Sequence, residues 1–174
     1  MTSTTFNNLD DPKKKRILDA LLIEFSNYKL ADAKVSRIVE QAGIARGTFY
    51  KYFDDLKDSY EYLYRLALHD IHQSISTNTS DGLKPDEYVE QTREFIEHSN
   101  NSKYYKLVKM HMLYNESFFI SSFNNHLISG NEYLWATQVM IHDAIKQIMI
   151  SPDSKEMILK KLANVLTTLA KEEN

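Results

Sequence analysis

The stretch IVEQAGIARGTFYKYF, Ile38–Phe53, decides how this chain is read. Val35, Ile38, Val39 and Ala42 fall on one side of a short helix, and Gly43 stands where a helix ends on a left-handed residue. A further helix is predicted from about Ala45, with Phe49 and Phe53 at i, i+4 pointing inward and Ile44 plugging the turn. Arg46, Gly47, Thr48, Tyr50, Lys51 and Tyr52 are then left on or beside the outer side. Aromatics around a lysine on a solvent-facing side need a partner to explain them, because aromatic rings otherwise favour burial.

Upstream, Asp11-Pro12 reads as a helix start, an N-cap acid followed by proline at the first helical position. Ile17, Leu18, Leu21, Leu22 and Phe25 then form the apolar stripe of an amphipathic helix ending near Asn27. Lys13, Lys14, Lys15 and Arg16 lie in its first turns, where the helix dipole disfavours each cation by about 0.3–1 kcal/mol. Two readings stand for this run, a solvated basic face or a set of phosphate contacts that offsets the dipole. A long helix followed by two short ones about a glycine turn is a helix-turn-helix, which lays its second short helix in the major groove of a duplex.

Composition agrees with an all-α protein. Among 174 residues there are only four glycines and three prolines, too few turn formers for many strands. Apolar content of 43% and charged content of 26% are those of a globular chain. The absence of cysteine excludes disulfides, thiolate metal sites and cysteine nucleophiles. The N-terminus has neither the charged nor the apolar region of a signal peptide, and no window is apolar enough to span a membrane, so a cytoplasmic location is expected. Up to Tyr52 nine Lys or Arg face six Asp or Glu, a net +3; the remainder carries twelve against eighteen, a net −6, and the two sum to the overall −3. A polyanion is therefore drawn to the N-terminal third.

A segment I-A-x-x-A-G-V-S-x-G-T-x-Y-x-Y-F reads here, without a gap, as Ile38, Val39, Ala42, Gly43, Ile44, Ala45, Gly47, Thr48, Tyr50, Tyr52 and Phe53; its glycine, threonine, tyrosine and phenylalanine positions coincide, and on them the stretch from Ile17 to Phe53 resembles the DNA-binding domain of the TetR family of bacterial transcriptional regulators. The resemblance implies a helix-turn-helix domain over residues 1–55 and a helical regulatory and dimerisation domain over 56–174. It implies a sequence-specific regulator, a repressor by default, that binds double-stranded DNA at a palindromic operator as a homodimer. A regulator with the same fold that binds a protein partner without an operator of its own is the alternative. Lys34 and Ser36 occupy positions that contact phosphate or a base edge in the family, and Tyr50 and Tyr52 positions that contact phosphate or thymine. Arg46 suits a bidentate pair with guanine, Thr48 a thymine methyl or a phosphate, Lys51 the backbone, and Gly47 a close approach of the helix to the duplex.

Alternatives remain open at three of these positions. Tyr52 either faces the duplex or packs against a neighbouring helix. Lys57 either binds phosphate or balances Asp54, Asp55 and Asp58, an acidic group that reads as a cap for the following helix. Arg37 is either a surface charge or a partner of Glu40 or Asp32. Where this sequence has Lys34 and Ala45, the family commonly has threonine and serine, both N-caps, whose loss typically costs about 1 kcal/mol.

Beyond Leu56 one long helix is expected through Leu56, Tyr60, Leu63, Tyr64, Ala67 and Ile71, then a loop over Ser76–Pro85. Further helices are expected over Asp86–His98, Ser102–Tyr114, Phe118–Ile128, Tyr133–Ile150 and Ser154–Lys171. The last two carry broad apolar faces, Met140, Ile141, Ala144, Ile145 and Ile148 among them, and the resemblance assigns these helices to the homodimer. Tyr105, Met112, Phe119 and Trp135 are candidates for a small-molecule inducer pocket, against the plain alternative that they are core. No H-E-x-x-H, glycine-rich phosphate loop or G-x-S-x-G turn occurs, so the six histidines are read as isolated surface or core residues and the chain as neither an enzyme nor a metal or cofactor protein.

Overall fold

The structure, a computed structural model, describes residues 4–72, 84–119 and 131–172. Its elements are the single turn α1 (Thr4–Asn7), α2 (Asp11–Asn27), α3 (Val35–Ala42), α4 (Arg46–Tyr52), α5 (Leu56–His72), α6 (Pro85–Asn101), α7 (Tyr105–Met110), α8 (Glu132–Ile150) and α9 (Lys155–Glu172). Short 3₁₀ turns at Leu30–Asp32, Glu116–Phe119 and Pro152–Ser154, and a π turn at His111–Asn115, join them. The described residues contain no strand, as the scarcity of turn formers led us to expect.

Two compact units emerge. One holds the chain up to Asp70 together with Lys103–Asn115; the other holds Ile71–Ser102 and the chain from Glu116 onward. In the first unit α2 packs on α3 and α7, and α4 packs on α1 and α3. Ile17, Leu21 and Phe25 from α2 are fully buried, as are Ile38 from α3, Phe49 and Phe53 at the end of the turn-helix pair, Tyr60 and Leu63 from α5, and Leu107 and Val108 from α7. In the second unit Ile96, Ala144, Ile148, Ile158, Leu159, Leu162 and Leu166 form the core between α6, α8 and α9.

Capping explains several boundaries. Asp10, rather than the expected Asp11, is the N-cap of α2: its carboxylate accepts from the Lys13 N–H at 2.8 Å, so the proline falls one position further into the first turn. Asn131 caps α8 in the same way through the Leu134 N–H at 2.8 Å. Pro85 opens α6, and its N3 residue Glu87 accepts from the Lys84 N–H at 2.7 Å. The acidic group before α5 is a cap, as expected: Asp55 accepts from the Asp58 N–H at 2.7 Å and Asp58 accepts from the Asp54 N–H at 3.1 Å.

Three differences from the sequence reading matter. The helix expected over Ser102–Tyr114 is α-helical only for Tyr105–Met110 before it widens into the π turn. Within that turn the Asn115 side chain accepts from the Leu30 N–H at 2.9 Å, and His111 Nδ1 lies 3.1 Å from the Tyr60 hydroxyl while its ring stacks on Tyr64 at 3.9 Å. Burial pushes the Tyr60 hydroxyl pKa well up, so it stays protonated. The wider turn thus places two polar side chains in the interior of the first unit. Secondly, Ala144 and Ile148 belong to the core of their own chain, with Met140, Ile141 and Ile145 half-buried against it. The apolar side chains left exposed on the last two helices are instead Trp135, Val139, Ile150, Met157 and Val165. Thirdly, Glu116–Phe119 is a 3₁₀ turn. The rest of the helix expected up to Ile128 lies outside the described residues, as does nearly all of the expected loop before Pro85.

Candidate nucleic-acid interface

The site starts at Gly43. Its φ of 63° and ψ of 41° are left-handed, a conformation that costs an L-residue with a Cβ about 1–2 kcal/mol. Here the Gly43 N–H donates to the Glu40 carbonyl and the Ile44 N–H to the Val39 carbonyl, which ends α3 and turns the chain into α4. With seven residues α4 is too short to be stable alone, so its placement depends on packing. Phe49 and Phe53 provide that packing, both buried with ring centroids 5.4 Å apart.

On the opposite side Arg46, Gly47, Tyr50 and Lys51 are exposed and Thr48 is half-buried. Tyr50, at 49% exposure, meets Phe49 in an edge-to-face arrangement with ring centroids 5.3 Å apart, which braces its ring. The Arg46 guanidinium lies 3.4 Å from the Tyr50 hydroxyl, a long hydrogen bond one helical turn away that a guanine edge can displace. No heavy atom lies within 4 Å of a Cβ built on Gly47, so its lack of a side chain serves nothing inside this chain.

Tyr52 falls on the other side. It is 4% exposed, with its ring 5.6 Å from Phe6, so the alternative in which it packs inward describes this side chain and its expected place on the outer side is corrected. The physical reason is helical phase: Tyr52 follows Phe49 by three positions and shares its inner face. Lys34, Ser36 and Lys57 are exposed.

Neither Lys34 nor Ala45 makes a capping hydrogen bond with its side chain, as their residue types require. At Lys34 a residue from another helix supplies what is missing. Glu24, 2% exposed on α2, accepts from the Lys34 N–H at 2.7 Å and from the Arg37 Nε at 2.8 Å. Arg37 therefore pairs with Glu24; the Asp32 carbonyl oxygen accepts a further bond from it at 3.0 Å. The Glu24 hydrogen bond raises the Arg37 pKa, and the Tyr28 ring lies 3.8 Å from its guanidinium. A lone carboxylate inside an apolar stripe is the sequence signal that could have identified this pair.

Tyr105, Met112, Phe119 and Trp135 are the candidate pocket residues. Tyr105 is half-buried and Met112 buried in the first unit; Phe119 is buried in the second, where Trp135 stands 52% exposed. A surface cavity of about 600 Å³ in the first unit has a floor of Leu18, Leu22, Leu63 and Leu66 and includes none of the four. Among the described residues no group of three or more His, Asp or Glu is arranged to hold a metal ion, and no helix is long and apolar enough to cross a membrane.

Residues 17–58 match the family model for bacterial regulatory proteins of the tetR family. The fold is similar to that of a TetR family transcriptional regulator from Chloroflexus aurantiacus J-10-FL, at 18% identity over 99% of this chain and 98% of that one, with a TM-score of 0.55. It is similar to a TetR-like transcriptional regulator from Rhodococcus sp. RHA1, at 16% identity, 95% and 97% coverage and a TM-score of 0.57. It is also similar to NalD of Pseudomonas aeruginosa, the secondary repressor of the MexAB-OprM multidrug efflux pump, at 14% identity, 87% and 95% coverage and a TM-score of 0.53. A search of curated protein sequences returned no significant match. At these identities the structural likeness concerns the fold.

Proposed function

We propose that this TetR-family chain is a cytoplasmic, sequence-specific DNA-binding regulator, a repressor that binds a palindromic operator as a homodimer and is released by a small ligand. One observation carries the reading: α4 is buried along Phe49 and Phe53 and, on its other side, leaves Arg46, Gly47, Tyr50 and Lys51 to solvent behind a left-handed glycine. With α4 in the major groove, Arg46 pairs with guanine O6 and N7, worth about 1–3 kcal/mol of discrimination. Thr48 meets a thymine methyl or a phosphate, and the Tyr50 hydroxyl donates to a phosphate oxygen. Lys34, Ser36, Lys51 and Lys57 hold the backbone, and Tyr52 supports the helix from within.

A repressor role draws on the similarity to NalD, which is a repressor. The homodimer draws on the exposed apolar side chains of α8 and α9, and its two-fold symmetry makes the operator palindromic. A ligand that prefers the dimer with mismatched recognition helices lowers operator affinity by linkage.

The test is a gel shift with DNA flanking the chain's own gene. The unaltered protein is expected to retard that DNA, while Arg46→Ala and Tyr50→Ala each weaken binding about tenfold or more without loss of fold. Retardation that is indifferent to both substitutions, or absent with the unaltered protein, overturns the reading in favour of a partner-binding regulator.

A further inference from the structure

The N-terminal turn α1 lies outside the stretch that the family model matches, yet it packs directly on α4. Thr4–Asn7 is closed by the Asn8 N–H donating to the Thr4 carbonyl at 3.1 Å and the Leu9 N–H donating to the Phe6 carbonyl at 3.3 Å. A turn of four residues has no stability of its own, so a tertiary contact must hold it. Phe6 makes that contact. It is fully buried, with its ring centroid 4.8 Å from Phe53, 5.6 Å from Tyr52 and 5.3 Å, edge-on, from Tyr62 of α5.

These partners define what the ring does. Tyr52 and Phe53 are the last residue and the C-cap of α4, so Phe6 closes an aromatic cluster on the end of the helix that faces away from Gly43. The other end has no capping side chain, because Ala45 stands there. A helix of seven residues, uncapped at one end, is held at the other by Phe6 and the rings around it. The same cluster carries two cations of α2: the Lys14 ammonium lies 5.6 Å from the Phe6 ring centroid and the Lys13 ammonium 5.9 Å from that of Tyr52. Part of the basic run in the first turns of α2 is thereby fixed beside α4.

We infer that Phe6 is a positioning residue for DNA binding: its ring clamps the C-terminal end of α4 to α5 and sets Lys13 and Lys14 alongside that end. Phe6 contacts no duplex itself; it acts through Tyr52 and Phe53. The DNA part of this inference rests on the function proposed above, and the clamp does not.

The experiment uses the full chain with Phe6→Ala and, as the conservative replacement, Phe6→Leu. Hydrogen exchange decides the clamp. Amides of α4 and of Phe53 should exchange about tenfold faster in Phe6→Ala, with Phe6→Leu close to the parent and α8 and α9 unchanged. Binding to the DNA flanking its own gene should weaken about tenfold in Phe6→Ala, with a smaller loss on a random-sequence duplex, since the lysine charges that supply non-specific affinity remain. Phe6→Leu should restore most of the difference. Unchanged exchange in α4, or a loosening shared equally by α2, α5 and α4, overturns the inference. So does an equal loss on both duplexes. If the parent protein binds no DNA, the proposed function fails while the exchange data still decide whether Phe6 clamps α4.

Discussion

Gly43 and Gly47 stand four positions apart, and only Gly43 is demanded by the free chain. Gly43 answers to its own backbone: the left-handed φ excludes most side chains even though space around it is open. Gly47 sits in ordinary helical geometry with open space about it, so nothing in the free chain requires it. Gly47→Ala should therefore raise stability by about 0.3–1 kcal/mol through helix propensity. The same change should weaken operator binding about tenfold or more, because in the proposed complex the added methyl stands where the duplex approaches. Thermal unfolding and a gel shift on one preparation check the two halves, and a variant that binds as tightly as the parent removes Gly47 from the interface.

At the level of the element, α3 shows how a missing local signal is replaced from a distance. Lys34 gives α3 no side-chain cap, and the sequence alone suggested a weakened helix. Instead the Glu24 carboxylate, buried on α2, takes the Lys34 N–H and the Arg37 fork together. Removing that carboxylate leaves a backbone donor without its acceptor at the start of α3. Glu24→Ala should cost about 1–3 kcal/mol in urea unfolding, with Glu24→Gln costing less because one acceptor oxygen remains. An alanine variant with the parent's midpoint would mean that water satisfies α3 equally well. The element that follows depends on this one, since α4 packs on α3 and is placed by the turn at its end.

For the whole molecule the deciding question is what covers the last two helices. Trp135, Val139 and Ile150 return to nearly one side of α8, since spacings of four and eleven residues approach whole turns. Met157 and Val165 are exposed on α9. In the proposed homodimer an isologous interface uses each position twice, so one buried carboxylate becomes two. Val139→Glu or Ile150→Glu should raise the dimer dissociation constant by about a hundredfold or more. Sedimentation velocity reads the change, and far-ultraviolet circular dichroism should remain that of the parent because both positions are exposed. A species of unchanged size would place the dimer contact elsewhere.

The glycine turn, the inward phenylalanines, the exposed Arg46, Tyr50 and Lys51 and the all-helical order were legible in the sequence because each depends on neighbours three or four residues away. Periodicity and backbone preference act at that range. Tertiary structure alone decided the partnership of Glu24 with Arg37, the Asn115 bond to Leu30 and the seat of Phe6 on α4. Those contacts join residues separated by 13 positions for Glu24 and Arg37 and by 85 for Asn115 and Leu30. No local pattern records such pairings, because a residue's type fixes what it can bind while the packed core fixes what lies within its reach.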